Sequence, residues 1–224
     1  MCGRLDQNDL TDLLNDFSWA ESLMHRSEAE PRFNVAPGTF RPILHAYEGA
    51  VVLEDRFWGY LPDRDIGKRR PVQNARLEKV TGPYWRALMK SGRAIVPANG
   101  WCEWTGEEPV KQPWHIHRAD GSLLYMAVIV SWAMPTDNKA NTGFVIVTAD
   151  AVGGMVDVHD RRPIVFTAAD AATWLDPTIS TEQAEQLARS VSLGPELFDW
   201  FPVDRAVGNV RNQGAALAQR IELA

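Results

Sequence analysis

The sequence predicts an α+β fold. Two observations carry that class. Between Arg93 and Thr148 short β-rich runs follow one another, whereas helix signals concentrate before and after that block. Strands grouped in this way argue against a parallel α/β sheet, in which strands and helices would alternate. Taken in order, Leu10, Leu13, Leu14 and Phe17 fall at helical spacing and predict a short amphipathic helix. Ile43 to Tyr47, a Glu48-Gly49 turn and Ala50 to Trp58 read as a β-hairpin. Tyr84, Trp85, Leu88 and Met89 mark a helix ending near Gly92. Strands are then expected at Arg93–Val96, Gly100–Trp104, Trp114–Arg118, Leu123–Ser131, Phe144–Thr148 and Ile164–Phe166. Thr167 can cap a helix running through Trp174, and Ser180 with Gln183 forms a capping-box pattern that opens a helix to Ser190. No repeat, low-complexity tract or linker interrupts the chain, so residues 1–224 are read as one domain.

With 224 residues, 45% hydrophobic and 23% charged, the chain can bury a core without disulfides or a structural metal. No apolar run approaches the roughly 20 residues of a membrane span, and no signal peptide is visible. Cys2 and Cys102 are too few for a disulfide framework, so a cytoplasmic location is expected. The formal net charge of -6 argues against coating of duplex DNA, which depends on neutralising phosphates. A local exception lies between Gly67 and Lys79, where Lys68, Arg69, Arg70, Arg76 and Lys79 face one acid, Glu78. Most of the nine Trp residues are expected in the core; Trp58 and Trp104 stand beside polar motifs and could line a site.

Cys2 is the most informative residue. Removal of Met1 would leave a free α-amine and a β-thiol on one residue. Such a 1,2-aminothiol condenses with an aldehyde to an imine, and the thiol closes on the imine carbon to give a thiazolidine. Three residues could partner it: Asn74, Glu103 and His159. Glu103 lies between Trp101 and Trp104, where desolvation would raise its pKa and suit it to general acid–base work. His159 precedes Asp160-Arg161-Arg162-Pro163 and follows a glycine-containing loop. His115 and His117 share one strand face but lack a third ligand, so no metal is expected, and no cofactor motif is present. Class II glutamine amidotransferases also open Met-Cys-Gly, with the Cys as acyl nucleophile. Here Arg4 stands where they carry Ile, and their later motifs are missing.

Six stretches together resemble the SRAP (SOS-response-associated peptidase) family. They are Met1-Cys2-Gly3-Arg4, Phe33 to Gly38, Trp58 to Pro62, Asn74-Ala75-Arg76, Gly100 to Trp104, and His159 to Pro163, with a fitting Ala206 to Val210 near the end. The resemblance implies a single α+β domain with a β-barrel-like, mainly antiparallel core flanked by helices. It implies that the partner is single-stranded DNA containing abasic sites, which a monomer without cofactors shields by a covalent crosslink. By that resemblance Cys2 takes the C1′ aldehyde of the opened sugar, Glu103 and His159 move protons, and Asn74 orients Cys2 and the sugar. The same Glu and His would serve self-removal of Met1. Arg4, Arg76, Arg161 and Arg162 would grip phosphates, with Asn34, Pro37 and Trp104 also at the DNA interface. In two places the chain departs from the family pattern: residues 64–70 lack the usual aromatic before the Asn-Ala-Arg motif, and Cys102 replaces an aromatic. Strand alternation turns Cys102 away from the face presenting Glu103, so it is expected in the apolar core.

Overall fold

Alternating burial explains the architecture of the computed structural model, which describes residues 2–13, 23–107, 109–132 and 142–223. Strand β10 (Leu124–Val130) is buried at every position. Its Tyr125, Ala127 and Ile129 enter one apolar cluster and its Leu124, Met126, Val128 and Val130 enter another. A strand covered on both faces needs no polar alternation, so the run reads as continuously apolar. The first cluster also holds Leu88 and Met89 of α1 (Arg86–Ser91), Trp174 of α2 (Ala168–Leu175), and Ala184 and Ala188 of α3 (Thr181–Val191). The second joins the sheet of β10 to a second sheet. The result is a three-layer arrangement of helices, sheet and sheet.

The larger sheet runs β12 (Arg161–Pro163), β11 (Phe144–Asp150), β10, β7 (Arg93–Ala98), β4 (Phe40–Tyr47), β5 (Ala50–Phe57) and β2 (Leu23–His25). Two short strands join it off this path: β13 (Val165–Phe166) pairs with β10, and β6 (Asn74–Arg76) pairs with β11. The smaller sheet runs β14 (Phe198–Pro202), β9 (Gln112–Arg118), β8 (Gly100–Thr105), β1 (Leu5–Gln7) and β3 (Arg32–Val35). Pairing is mainly antiparallel; β2 with β5 and β6 with β11 run parallel. The expected α+β class holds. The described strands form two facing sheets, and no closed barrel exists among them.

Local chemistry accounts for the predicted elements. The β4–β5 hairpin turns on Glu48 and Gly49, both at positive φ (49° and 80°), a geometry that favours Gly at the second position. Ser180 and Gln183 form the complete capping box of α3, and the Thr167 side chain accepts the Asp170 N–H at the start of α2. Of the expected first helix, Leu14 to Phe17 lie outside the described residues. Trp58, Trp101 and Trp174 are fully buried, and Trp58 stacks on Phe144 with its indole N–H donating to the Gln73 carbonyl. Trp58 is therefore a core residue. Gly100 lets β8 approach β9 closely, because a Cβ there would lie 2.5 Å from His115 Nε2.

Candidate active site

Four strands bring the candidate residues together. Cys2 leads into β1 and is 1% exposed. Beside β1, the antiparallel register pairs Leu5 with Trp101 and Asp6 with Gly100, and the Cys102 N–H donates to the Arg4 carbonyl. That pairing brings Glu103 beside the Cys2 end of the chain. From the other sheet, Asn74 at the start of β6 donates through Nδ2 to the Cys2 carbonyl at 3.1 Å. His159 stands before β12, with its Nε2 4.0 Å from Glu103 Oε2. Cys2, Asn74, Glu103 and His159 therefore converge although they are scattered along the chain.

Burial sets their protonation. The Glu103 carboxyl is 2% exposed, and desolvation pushes its pKa up to about 7. Near neutral pH it is populated both as acid and as base. Burial, followed by the nearby Glu103, drives the Cys2 thiol well above its ordinary value, so it stays protonated. Desolvation also lowers the His159 imidazole, favouring the neutral ring. Its Nδ1 accepts the Arg161 main-chain N–H at 2.9 Å, and Asp160 Oδ1 lies 2.7 Å from the same nitrogen. These contacts at Nδ1 orient the ring with Nε2 facing Glu103. Asn74 Oδ1 is buried with no hydrogen-bond partner among the described residues, an acceptor ready for a ligand hydroxyl or amine.

Above these groups opens a cleft of about 600 Å³ lined by Gly3, Arg4, Glu103, Trp104, His159 and Gly208, with Lys111 and Arg205 on its walls. The Arg4 guanidinium donates to the carbonyls of Gly3 (2.9 Å), Gly208 (3.0 Å) and Val207 (3.4 Å), and lies 5.8 Å from the centroid of the Trp104 ring. Carbonyl partners hold this cation in place without neutralising it. Lys111 and Arg205 escaped the sequence reading, since nothing in their spacing links them to Cys2; Arg205 is at least adjacent to the Ala206–Val210 motif.

Other residues expected at the interface also have structural duties. Arg161 is 6% exposed and bonds to Glu78 (3.1 Å), Asp150 (2.5 Å) and the Thr148 carbonyl (2.7 Å). Both terminal nitrogens of its fork are engaged within the protein, and through them Arg161 anchors the His159 turn. Arg162 donates to the Leu193 carbonyl and does not line the cleft. Asn34 is 2% exposed, and its Nδ2 bonds the carbonyls of Asn209 (3.0 Å) and Asn212 (3.2 Å). Pro37 belongs to the turn before β4, closed by the Gly38 N–H on the Trp58 carbonyl, and does not line the cleft. Arg76 is exposed at the end of β6 and Trp104 half-exposed at the cleft rim. Cys102 packs with Val203, Val207 and Leu217 as expected, its thiol pushed by burial to about 12. His115 bonds Asp6 at 3.2 Å rather than a metal, and no three-ligand metal cluster exists among the described residues.

Comparison with known proteins identifies the family. The chain is 40% identical to the abasic site processing protein YedK of Escherichia coli, over 99% of this chain and 100% of that one. It is 30% identical to the abasic site processing protein YoqW of Bacillus subtilis, covering 79% of this chain and 81% of the relative. The crystal structure of a phage-related protein from Bordetella bronchiseptica superposes with a TM-score of 0.76 at 36% identity, over 91% of this chain and 95% of that one. The family model described as SOS response associated peptidase (SRAP) matches residues 1–210, and the chain belongs to that family.

Proposed function

We propose that this chain senses abasic sites in single-stranded DNA and shields them by a covalent thiazolidine crosslink through Cys2, after removal of Met1. The observation that carries the reading is the convergence of Cys2, Asn74, Glu103 and His159 beneath one cation-walled cleft. The names of the relatives, abasic site processing proteins, support the substrate.

The chemistry balances without a cofactor. Hydrolysis of the Met1–Cys2 peptide bond consumes one water and frees the Cys2 amine; Glu103 and His159 are the groups fit to move its protons. Glu103, near its midpoint at neutral pH, donates to the ring oxygen of the abasic sugar and accepts from the C1′ hydroxyl, which opens the aldehyde. The amine adds to C1′, water leaves, and an imine forms. The thiol sulfur then bonds to the imine carbon while its proton passes to nitrogen. Nothing is oxidised, and the crosslinking steps, from sugar to thiazolidine, release one water. A protonated imine is an electron sink that promotes β-elimination of the strand; ring closure removes the sink, so the strand is capped rather than cut. Asn74 Oδ1 accepts from the sugar or the amine, and Arg4, Arg76, Lys111 and Arg205 supply phosphate contacts within an otherwise acidic chain. A glutamine amidotransferase would need an activated thiol, whereas burial holds this one protonated. We place the protein in the cytoplasm, acting on the nucleoid as a monomer.

The test is a denaturing gel of tag-free protein mixed with an abasic single strand. Wild type should give a heat-stable adduct, and intact mass should lack Met1. Cys2→Ala keeps the amine and should give only a labile imine that borohydride can trap. A heat-stable, unreduced adduct from Cys2→Ala would sink the thiazolidine reading. Ammonia released from glutamine, with the DNA unshifted, would favour the amidotransferase instead.

A further inference from the structure

Beside the cleft, Arg64, Lys68, Arg69, Arg70, Lys79 and Tyr84 belong to a second surface to which the crosslinking chemistry assigns no role. Arg64, Lys68, Arg70, Arg76 and Lys79 are exposed there, and none has a carboxylate partner among the described residues. Of the neighbouring acids, Asp65 is paired with Arg69 and Glu78 with Arg161, which leaves Asp63 against five cations. The segment from Asp63 to Gln73 has no aromatic residue. The fold brings one to it. Arg69 bonds the Tyr84 hydroxyl and its guanidinium lies 5.0 Å from the centroid of that ring, with Arg64 at 5.6 Å. Trp85 and Tyr60 meet the same ring edge-on, at 4.5 Å and 5.9 Å between centroids, and fix its orientation.

Arg69, Val72, Glu78, Lys79 and Tyr84 line an open groove of about 600 Å³. Guanidinium groups gathered on an aromatic ring stack nucleobases without regard to sequence, and unpaired cations alongside them take phosphates. The groove is joined to the cleft by β6: Asn74 reaches Cys2, Arg76 ends the strand, and Glu78 holds Arg161 two residues from His159. A strand whose lesion lies over Cys2 is thereby offered a nucleotide seat along the same stretch of chain.

We propose that the groove formed by Arg64, Arg69 and Tyr84 holds a nucleotide flanking the lesion, its base stacked on the arginine–tyrosine platform and its phosphates on Arg70 and Lys79. The proposal rests on the single-stranded DNA substrate argued above. Binding is therefore measured apart from chemistry, by fluorescence anisotropy on strands carrying a non-reactive tetrahydrofuran abasic analogue. Three strands are compared, with the analogue central, at the 5′ end or at the 3′ end. Tyr84→Ala should weaken binding to the central strand about tenfold, as loss of one base–aromatic stack does, while Tyr84→Phe should bind nearly as wild type. On whichever end-placed strand lacks the arm that enters the groove, Tyr84→Ala should cost nothing further. Because Tyr84 also packs against the core, the exposed pair Arg70→Gln/Lys79→Gln is the second variant. It should flatten the log–log salt dependence by about 0.7 per lost phosphate contact. Wild-type binding by both Tyr84→Ala and the double variant would overturn the proposal, and so would an equal loss on all three strands. Failure of the wild type to crosslink a natural abasic strand would overturn the Cys2 chemistry instead, and would leave the anisotropy result to be judged on its own.

Discussion

Two glutamates flank the His159 turn, and their surroundings push them apart. Glu103 is enclosed between sheets and lifted to about 7 by desolvation. Glu78 stands on the open side, where desolvation also acts upward but is outweighed by hydrogen bonds from Arg161, and its pKa is lowered. The same carboxyl is divided between acid and base near neutral pH at one address and a permanent anion at the other. What separates them is a guanidinium: Arg161 spends its fork on Glu78, Asp150 and Thr148. An arginine aimed at Glu103 would hold it ionised and disable it as an acid.

Substitutions can break that contrast. Glu103→Gln keeps the shape and removes the transferable proton, so crosslinking should slow by about 10²–10⁴ with DNA binding near normal. A wild-type rate, read from single-turnover gels, would make Glu103 merely structural. Next comes pH. A carboxyl raised from 4.5 to about 7 on folding binds more protons in the native state across that window, so stability falls as pH rises through it. The drop from this group is about 3 kcal/mol, and Glu103→Gln should flatten the slope in denaturant titrations between pH 4.5 and 8. Cys102→Ala, on the opposite face of β8, should leave crosslinking intact and cost about 1–2 kcal/mol; loss of crosslinking with normal folding would make Cys102 a second participant. Smallest is Glu78→Gln, which leaves Asp150 to hold Arg161. A change of about 1 kcal/mol or less is expected, with the pH–rate profile unmoved; a shifted profile would show that the two carboxyls are coupled.

What could be read from the sequence divides along the range of the interactions involved. The Glu48-Gly49 hairpin and the Ser180/Gln183 box are local contracts between neighbours, and both stand as expected. The three-residue strands β1 and β6 carry the site yet have too little period to declare themselves; partners about 70 to 100 residues away create them. The desolvation of Glu103 was legible from the tryptophans beside it. The pairing of Arg161 was not, because its partners Glu78 and Asp150 come from separate parts of the chain. Likewise Lys111 and Arg205 reach the cleft only through β8, β9 and the turn after β14.

The bonds from Arg4 to Val207 and Gly208 join residues more than 200 positions apart. Contacts of that span close only after the segments between them have been made and folded, because loop closure precedes the contacts it allows. The wall of the cleft formed by Arg4 is therefore completed late in folding, after the hairpins that flank it.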